Sequence, residues 1–412
     1  MAASSPPRAA RPAYYGWTLA WMLGPTQLVS WGILYYAFSV IMPSMRAEMG
    51  WSAAETSGAF SVAMFATGLA SVPAGRWLDA RGPRLLMTLG SVLATALVVA
   101  WAGVQSLPGL YAIWAALGVT MAATLYDPAF WVVARWFRRR RDRALTIVTV
   151  WGGLASTAFI PLTTSLVQTH GWRSAVLALA GLLGVLTILP HALMLRRGPE
   201  DVGQAVDGGE IEALGARPAA VPLRGVSEAL RSRAFILLAT AFGLTSLMAA
   251  AMSVHLVSYG LSRGLSAETI ASAAGTVGVL QVVGRLTFAP LAGRVSRRAV
   301  TALMFVLTAL AMVSLIALPI GIGLILYVVM YGLGHGALTP LRASLVADTF
   351  GSAIYGRMNG ALSLVATFAR AIAPVAVGLA VTQTGTYSPA LAALGLGALL
   401  GAGAIVALGE RR

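Results

Sequence analysis

The chain has 412 residues, of which 58% are hydrophobic and only 10% charged, and its mean hydropathy is +0.79. Soluble domains carry about 25% charged residues, so this composition excludes an ordinary soluble domain and indicates a membrane protein. The chain has no cysteine, which excludes disulfides and thiolate metal sites. It also shows no nucleotide-binding loop, metal-ligand cluster or nucleophile–base arrangement, so we expect no enzyme and no cofactor.

The first segment, residues 1–13, is rich in proline, alanine and serine, and we expect it to be a disordered cytoplasmic tail. Apolar runs of about 20 to 29 residues then recur to the end of the chain and predict twelve membrane-spanning helices. The predicted spans are 15–42, 55–78, 84–104, 108–134, 143–168, 172–195, 234–260, 267–292, 299–318, 320–346, 355–382 and 388–408.

The segment 196–233 differs from the runs on either side, because it is polar and holds six of the 14 acidic residues of the chain. It predicts a linker between two six-helix halves, 14–195 and 234–412. The halves form a weak repeat, since Leu291–Arg298 occupies the place in the second half that Trp77–Arg84 occupies in the first. We therefore expect an all-α polytopic membrane protein made of two pseudo-symmetric six-helix bundles.

The net charge is +15, and the basic residues are all arginine. They lie in short segments between apolar runs, which is typical of membrane topology and not of a nucleic-acid groove. One set of loops holds six arginines between 135 and 143, those between 196 and 233, and Arg294, Arg297 and Arg298. The other set holds only Arg46, Arg173 and Arg263. This asymmetry predicts that the first set and both termini are cytoplasmic, in the cell inner membrane.

A short charged stretch separates the second apolar run from the third, and Gly82 followed by proline forces a tight turn within it. It resembles the loop signature of the major facilitator superfamily, G-x-x-x-D-[RK]-x-G-x-[RK], with matches at Gly75, Asp79, Gly82 and Arg84. The resemblance implies two parallel halves with a substrate site between them, and a gating role for this loop.

Charged side chains inside a membrane are costly, so they mark functional positions. The predicted spans place three full charges well inside the membrane: Asp127, Arg285 and Arg370. At about 1.5 Å per residue, both arginines lie near the middle of the bilayer, the depth at which transporters bind substrate. Two unpaired guanidinium groups facing one cavity would form a bidentate clamp for an anion. The alternative is a structural role, in which the guanidinium groups bind carbonyls or reach a membrane surface.

An arginine inside the eighth helix resembles the monocarboxylate transporters, and a cationic pair on helices eight and eleven resembles the oxalate:formate antiporter of the same superfamily. Trp136-Phe137 before the fifth helix and Gly171-Trp172-Arg173 at the start of the sixth are similar to this branch as well. The resemblance implies a small carboxylate as the substrate of the arginine pair.

Two further groups are candidates for carrying a proton. Asp127 is either a proton site or an ion-pair partner of Arg135 or Arg143 in an inner gate. His335 either carries a proton and donates to a carboxylate or has a packing role.

Aromatic residues in or near mid-span complete the candidate substrate pocket, because pockets for small carboxylates mix rings with a few polar groups. These are Tyr36, Tyr126, Trp151 and Tyr331, with Tyr35 beside them. Each of them, taken alone, more often packs against helices or faces lipid.

The sequence thus predicts a secondary active transporter that moves a small organic anion, a mono- or dicarboxylate, by alternating access as a monomer. A proton or a counter-anion is the expected coupling partner. The alternative is an efflux antiporter for drugs or toxic oxyanions. Drug antiporters of this superfamily carry a Gly-Pro-x-x-Gly-Gly run in the fifth helix, and the corresponding run here, which begins at Trp151, lacks it.

Overall fold

The computed structural model is helical, and the residues that it describes contain no strand. The described residues are 14–208, 223–291 and 295–408. The predicted tail, the middle of the predicted linker and Arg294 lie outside them.

The membrane helices are numbered α1 to α12 in chain order. They are α1 (Tyr15–Met49), α2 (Ala53–Arg81), α3 (Pro83–Ala102), α4 (Leu107–Trp136), α5 (141–170), α6 (172–194), α7 (Arg233–Ser262), α8 (Ala267–Leu291), α9 (Arg297–Ala317), α10 (Ile320–Phe350), α11 (Tyr355–Thr384) and α12 (Ser388–Val406). A short helix, Leu223–Arg231, precedes α7.

Twelve segments of the described chain are long enough to cross a bilayer, which confirms the predicted all-α fold of two six-helix bundles. Ten helical stretches are both long enough and apolar enough to cross a membrane, and one of them, Arg141–Met194, is 54 residues long. Such a helix would measure roughly 80 Å if it were straight, against a hydrocarbon core of about 30 Å. The chain turns at Gly171, where φ is 77°, so this stretch contains both α5 and α6. The 25-residue helix α8 completes the set.

Helix α4 is interrupted at Leu125, where the backbone is extended. The cause is Pro128, which has no N–H, so the carbonyl of Thr124 loses its helical donor. The buried amide of Gln27 on α1 donates to that carbonyl at 2.8 Å. The interruption places Asp127 in the first turn of a new helical segment, where its side chain is partly exposed.

The two membrane faces of the molecule differ in where the linker lies, and we call the face that carries it the linker side. There, Arg135 at the end of α4 forms an ion pair with Glu200 of the linker at 2.5 Å. On the opposite side, Arg173 at the start of α6 forms an ion pair with Glu48 at the end of α1, at 2.9 Å.

Among the described residues, the hydrophobic core is continuous between the halves on the linker side and not on the other. One buried cluster there joins Leu145 of the first half to Leu341 and Tyr355 of the second. Toward the opposite side each half has its own cluster, one around Trp114 and the other around Tyr327. The halves are therefore packed together on the linker side and separated on the other.

Candidate functional site

A cavity of about 750 Å³ lies between the two halves. Helices α1, α2, α4 and α5 form one wall, and α7, α8, α10 and α11 form the other. It extends to Leu256 and Val257 near the opposite side, and Asp127 lies in its wall toward the linker side. Its volume falls in the range of about 300–1,000 Å³ that is usual for small-molecule pockets.

Most of the predicted site residues meet in this cavity, although they come from five different helices. Those that line it are Tyr35, Tyr36, Tyr126, Asp127, Arg285, Tyr331, His335 and Arg370. Trp151 is the exception, because its indole packs against α1 at Gly24, where a Cβ would clash with the ring. The glycine at this position lets α1 approach Trp151 closely, and the indole is absent from the cavity wall.

The first half presents an aromatic surface to the cavity. The rings of Trp31 and Tyr126 have centroids 5.0 Å apart, and Tyr126 stacks on Phe130, also at 5.0 Å. Tyr35 and Tyr36 lie in a π-helical turn of α1, and their ring centroids are 5.1 Å apart. π-Helical turns are frequent at functional sites, because the extra residue in the turn changes where side chains point.

The second half presents a stack of three rings along α10. Tyr327 stacks on Tyr331 with centroids 5.1 Å apart, and Tyr331 stacks on His335 at the same distance. Within the described residues, Nδ1 of His335 is buried without a hydrogen-bond partner. This ring nitrogen is therefore a polar group of the cavity region that a bound ligand could satisfy.

A third cavity arginine, Arg342 on α10, was missed by the sequence analysis. Its Nη2 lies 3.3 Å from Oδ1 of Asp127 and 3.2 Å from both Asn359 Oδ1 and Ser363 Oγ on α11. The Ser363 hydroxyl donates to the other carboxylate oxygen of Asp127 at 2.7 Å. Arg342 falls near the end of the predicted span 320–346, where a charge does not stand out, yet α10 continues to Phe350.

The predicted partners of Asp127 are wrong. Its ion-pair partner is Arg342 of the second half, whereas Arg135 binds Glu200 and the guanidinium of Arg143 lies 5.7 Å from the ring centroid of Trp17. Arg135 belongs to the same helical segment as Asp127 but follows it by eight residues, about 12 Å along the helix axis, whereas Arg342 of the second half lies directly beside the carboxylate.

Arg285 on α8 is buried, with 8% of its surface exposed, and it is bonded to two backbone carbonyls. Its Nε donates to the carbonyl of Gly336 on α10 at 3.2 Å, and its Nη1 donates to the carbonyl of Thr149 on α5 at 2.8 Å. Two of its three nitrogens are thus occupied in this conformation.

Arg370 on α11 is exposed to the cavity. Its Nε donates to the carbonyl of Ala366, one turn back on the same helix, at 3.2 Å. In the part of the chain that the structure describes, its two Nη atoms have no protein acceptor. A guanidinium with both terminal nitrogens free can bind a carboxylate with two parallel hydrogen bonds.

The charge of the cavity is strongly asymmetric. Its described lining contains three arginines, Arg285, Arg342 and Arg370, and one carboxylate, Asp127, so positive groups exceed negative ones by two. A cavity with this excess favours a negatively charged ligand, because protein walls of low dielectric constant strengthen the field of its charges.

Asp79 connects the two halves on the linker side. Its carboxylate, 2% exposed, accepts the backbone N–H of Gly356 at 2.9 Å and that of Arg357 at 3.0 Å. These residues form the first turn of α11, so Asp79 lies where unpaired N–H groups and the helix dipole favour an anion. The indole of Trp131 donates to the same carboxylate at 2.9 Å.

The other residues of the loop signature support this contact from the first half. Gly75 lies against Gly356, and a Cβ at either glycine would clash with the backbone of the other helix. Gly82 ends α2 with φ of 81°, a conformation that favours glycine. Arg84 donates to the carbonyl of Ala192 on α6 at 2.6 Å, which ties α3 to its own half.

A second linker-side contact between the halves was not predicted. Arg297 at the start of α9 binds Asp142 at 2.8 Å and Asp348 at 2.5 Å, and Arg141 binds Asp348 at 2.6 Å. Ser344 also donates to Asp142. The sequence Arg-Asp-Arg at the start of α5 was the available signal, since a carboxylate among arginines at a helix end is placed to form ion pairs.

The sequence profile of the Major Facilitator Superfamily matches residues 28–287 and 263–412, which together cover most of the chain. The chain belongs to the major facilitator superfamily. It is therefore a multi-pass membrane protein of a family of transporters.

Several superfamily members are similar to this chain over most of its length. Monocarboxylate transporter 13 from Rattus norvegicus is 25% identical over 385 residues, which are 92% of this chain and 84% of that protein. The oxalate:formate antiporter of Oxalobacter formigenes is 24% identical over 244 residues, 59% of this chain and 54% of that protein. Both names match the branch that the intramembrane arginines suggested.

The fold is also that of a solved superfamily structure. The crystal structure of the transporter FucP in the outward conformation superimposes with a TM-score of 0.77 at 13% identity, covering 96% of this chain and 100% of that one. At this identity the likeness concerns the fold of the superfamily and not its substrate.

Proposed function

We propose that this protein is a secondary active transporter that moves a small organic anion, a mono- or dicarboxylate, across the membrane by alternating access. The observation that carries the proposal is the excess of two positive charges in a cavity between the halves. An unpaired charge in such a site costs several kcal/mol, so a cavity of this kind favours a ligand of opposite charge. Relatives named for monocarboxylates and for oxalate and formate are consistent with this class of substrate.

Arg370 is the first binding group for the carboxylate in this conformation. Its two Nη atoms are free to donate, whereas Arg285 is engaged with carbonyls and Arg342 with Asp127. The aromatic surface around Tyr35, Tyr36 and Tyr126 lines the same cavity and accommodates the apolar part of the substrate. Tyr331 and His335 bound it from the second half.

Coupling to a proton has two candidate sites in the cavity. Asp127 can lose its ion pair when an anion competes for Arg342, and Nδ1 of His335 has no partner within the described residues. A counter-anion that occupies the same arginines would serve an antiporter instead. We place the monomeric protein in the cell inner membrane with the linker side facing the cytoplasm, as the arginine asymmetry indicates.

The test is calorimetric titration of the purified protein with small carboxylates and with their neutral amides. Binding of a carboxylate and not of its amide is expected. Arg370→Gln should abolish that binding, and Arg370→Lys should weaken it by about tenfold, because lysine keeps the charge but loses the planar fork. Arg263→Gln, which removes an exposed arginine outside the cavity, is the matched control. Unchanged affinity in Arg370→Gln would show that the substrate does not bind this guanidinium.

A further inference from the structure

Arg285 lies in the cavity wall, yet its contacts are those of a structural group in this conformation. Both acceptors of its hydrogen bonds are backbone carbonyls, one in its own half and one in the other. Each acceptor is available for an identifiable local reason, so the arrangement is built into the sequence of the neighbouring helices.

The carbonyl of Gly336 is available because of a proline four residues later. In an α-helix this carbonyl would accept the N–H of residue 340, but Pro340 has none. Helix α10 continues through the proline, and Nε of Arg285 supplies the missing hydrogen bond at 3.2 Å. The bond fixes the guanidinium of α8 against α10 within the second half.

The carbonyl of Thr149 lies one turn before the end of the helical segment Arg141–Gly153, and it also accepts the hydroxyl of Tyr126 at 3.3 Å. A carbonyl near this end lies close to the negative end of the helix dipole, which attracts cations, and a carbonyl oxygen has two lone pairs, so it can accept more than one donor. Gly153 makes the approach possible, because a Cβ at this position would clash with Nη1 of Arg285. Nη1 thus reaches α5 of the first half at 2.8 Å.

The contact between Arg285 and Thr149 joins the halves in the linker-side part of both helices. Alternating access requires the halves to separate there when the cavity opens to the linker side. This hydrogen bond must then break, whereas the bond to Gly336 lies within one half and can persist.

We propose that Arg285 is a positioning residue, a strut between the halves that holds the linker side closed and releases Thr149 when the substrate anion competes for its guanidinium. The substrate part of this proposal rests on the proposed function, since a neutral substrate would not compete. The anion binds Arg370 first and reaches Arg285 as the cavity closes around it. Binding and opening are then linked through a single side chain.

Two substitutions test the strut without changing the arginine. Pro340→Ala restores an N–H that binds the Gly336 carbonyl, and Gly153→Ala places a methyl group where Nη1 lies. The chain has no cysteine, so a single Ser344→Cys, buried on the linker side and outside the cavity lining, reports opening through its rate of maleimide labelling. We expect both variants to raise that rate about tenfold in nanodiscs, the scale of one charge-assisted hydrogen bond.

Matched controls are available for both changes. Gly275→Ala adds a methyl group to α8 in open space, and Pro161→Ala restores an N–H in α5 away from Arg285. Both controls should label at the wild-type rate. Pro340→Ala replaces a proline in a helix by the best helix former, so it remains a test even if Gly153→Ala does not fold.

The outcomes separate this proposal from the proposed function. Labelling at the control rate in Pro340→Ala and in any folded Gly153→Ala would overturn the strut, and so would weaker carboxylate binding with unchanged labelling. If the wild-type protein binds no carboxylate but both variants label faster, the strut stands and the anionic substrate is wrong.

Discussion

At the scale of single residues, the cavity shows how identical side chains acquire different tasks from their surroundings. Arg285, Arg342 and Arg370 all line it, but one binds carbonyls, one binds a carboxylate and one has free terminal nitrogens. A guanidinium keeps its charge at any physiological pH, so these differences are set by hydrogen-bond partners and not by protonation.

The pair of Asp127 and Arg342 provides a prediction at this scale. Asp127→Asn removes the only carboxylate in the described lining and leaves the charge of Arg342 uncompensated. We expect carboxylate affinity, measured by calorimetry, to rise by about tenfold, since one more charged donor becomes available.

Asn359→Ala is the control for this change. Asn359 accepts from the same Nη2 at 3.2 Å, but its loss does not alter the charge of the cavity. If Asp127→Asn leaves the affinity unchanged, Arg342 does not contribute to anion binding and its ion pair with Asp127 is structural.

The sequence identified Asp127, Arg285 and Arg370 because charge inside an apolar run is visible without a structure. It could not assign their partners. Both acceptors of Arg285, for example, are backbone carbonyls of other helices, and no pattern of side chains in the sequence reveals such a contact. It also missed Arg342, because the end of α10 lies farther along the chain than hydropathy indicates. Two prolines were an available signal. Pro128 and Pro340 each leave the carbonyl four residues earlier without its helical donor, and a side chain of another helix binds that carbonyl.

At the scale of helices, the first turn of α11 is held by a carboxylate from the other half. Asp79 accepts two backbone N–H groups there, and Gly75 and Gly356 allow α2 and α11 to approach at that level. The aspartate of the loop signature therefore forms a contact between helices. Its partners are backbone N–H groups at the start of α11, which no sequence motif marks.

Asp79→Asn tests this contact. The asparagine amide lacks the negative charge that the helix N-terminus favours. The state with the linker side closed is therefore destabilised and occupies less of the transport cycle. We expect slower carboxylate flux in proteoliposomes and nearly unchanged binding by calorimetry.

Glu55→Gln is a suitable comparison for that variant. Glu55 also accepts a backbone N–H at a helix start, from Ser52 at 2.8 Å, but it caps its own helix and does not join the halves. Flux should be close to wild type in this variant. Loss of binding with unchanged flux in Asp79→Asn would contradict a gating role.

At the scale of the whole molecule, the recurring apolar runs predicted twelve helices, and the polar linker predicted their division into two halves. The conformational state was not predictable, because it depends on which contacts between the halves are formed. Here Asp79 binds α11 and Arg297 joins Asp142 to Asp348, all on the linker side, and the shared hydrophobic core lies there too. The cavity is consequently open toward the opposite side.

The orientation of the molecule in the membrane decides what this open state means for transport. Arginines concentrate on the linker side, whereas the predicted loops of the other side hold only Arg46, Arg173 and Arg263. Translocating arginine-rich loops is unfavourable, so we expect the linker side to face the cytoplasm.

The cysteine-free chain allows a direct test with paired single-cysteine variants. Gln105 is exposed between α3 and α4 on the opposite side, and Val202 is exposed in the linker. Each is replaced by cysteine in one variant, Gln105→Cys or Val202→Cys. A membrane-impermeant maleimide should label Gln105→Cys in intact cells and Val202→Cys only after lysis. The reverse pattern would invert the topology and make the conformation described here open to the cytoplasm. The expected pattern makes it open to the outside, so that the free Nη atoms of Arg370 face a substrate arriving from the exterior.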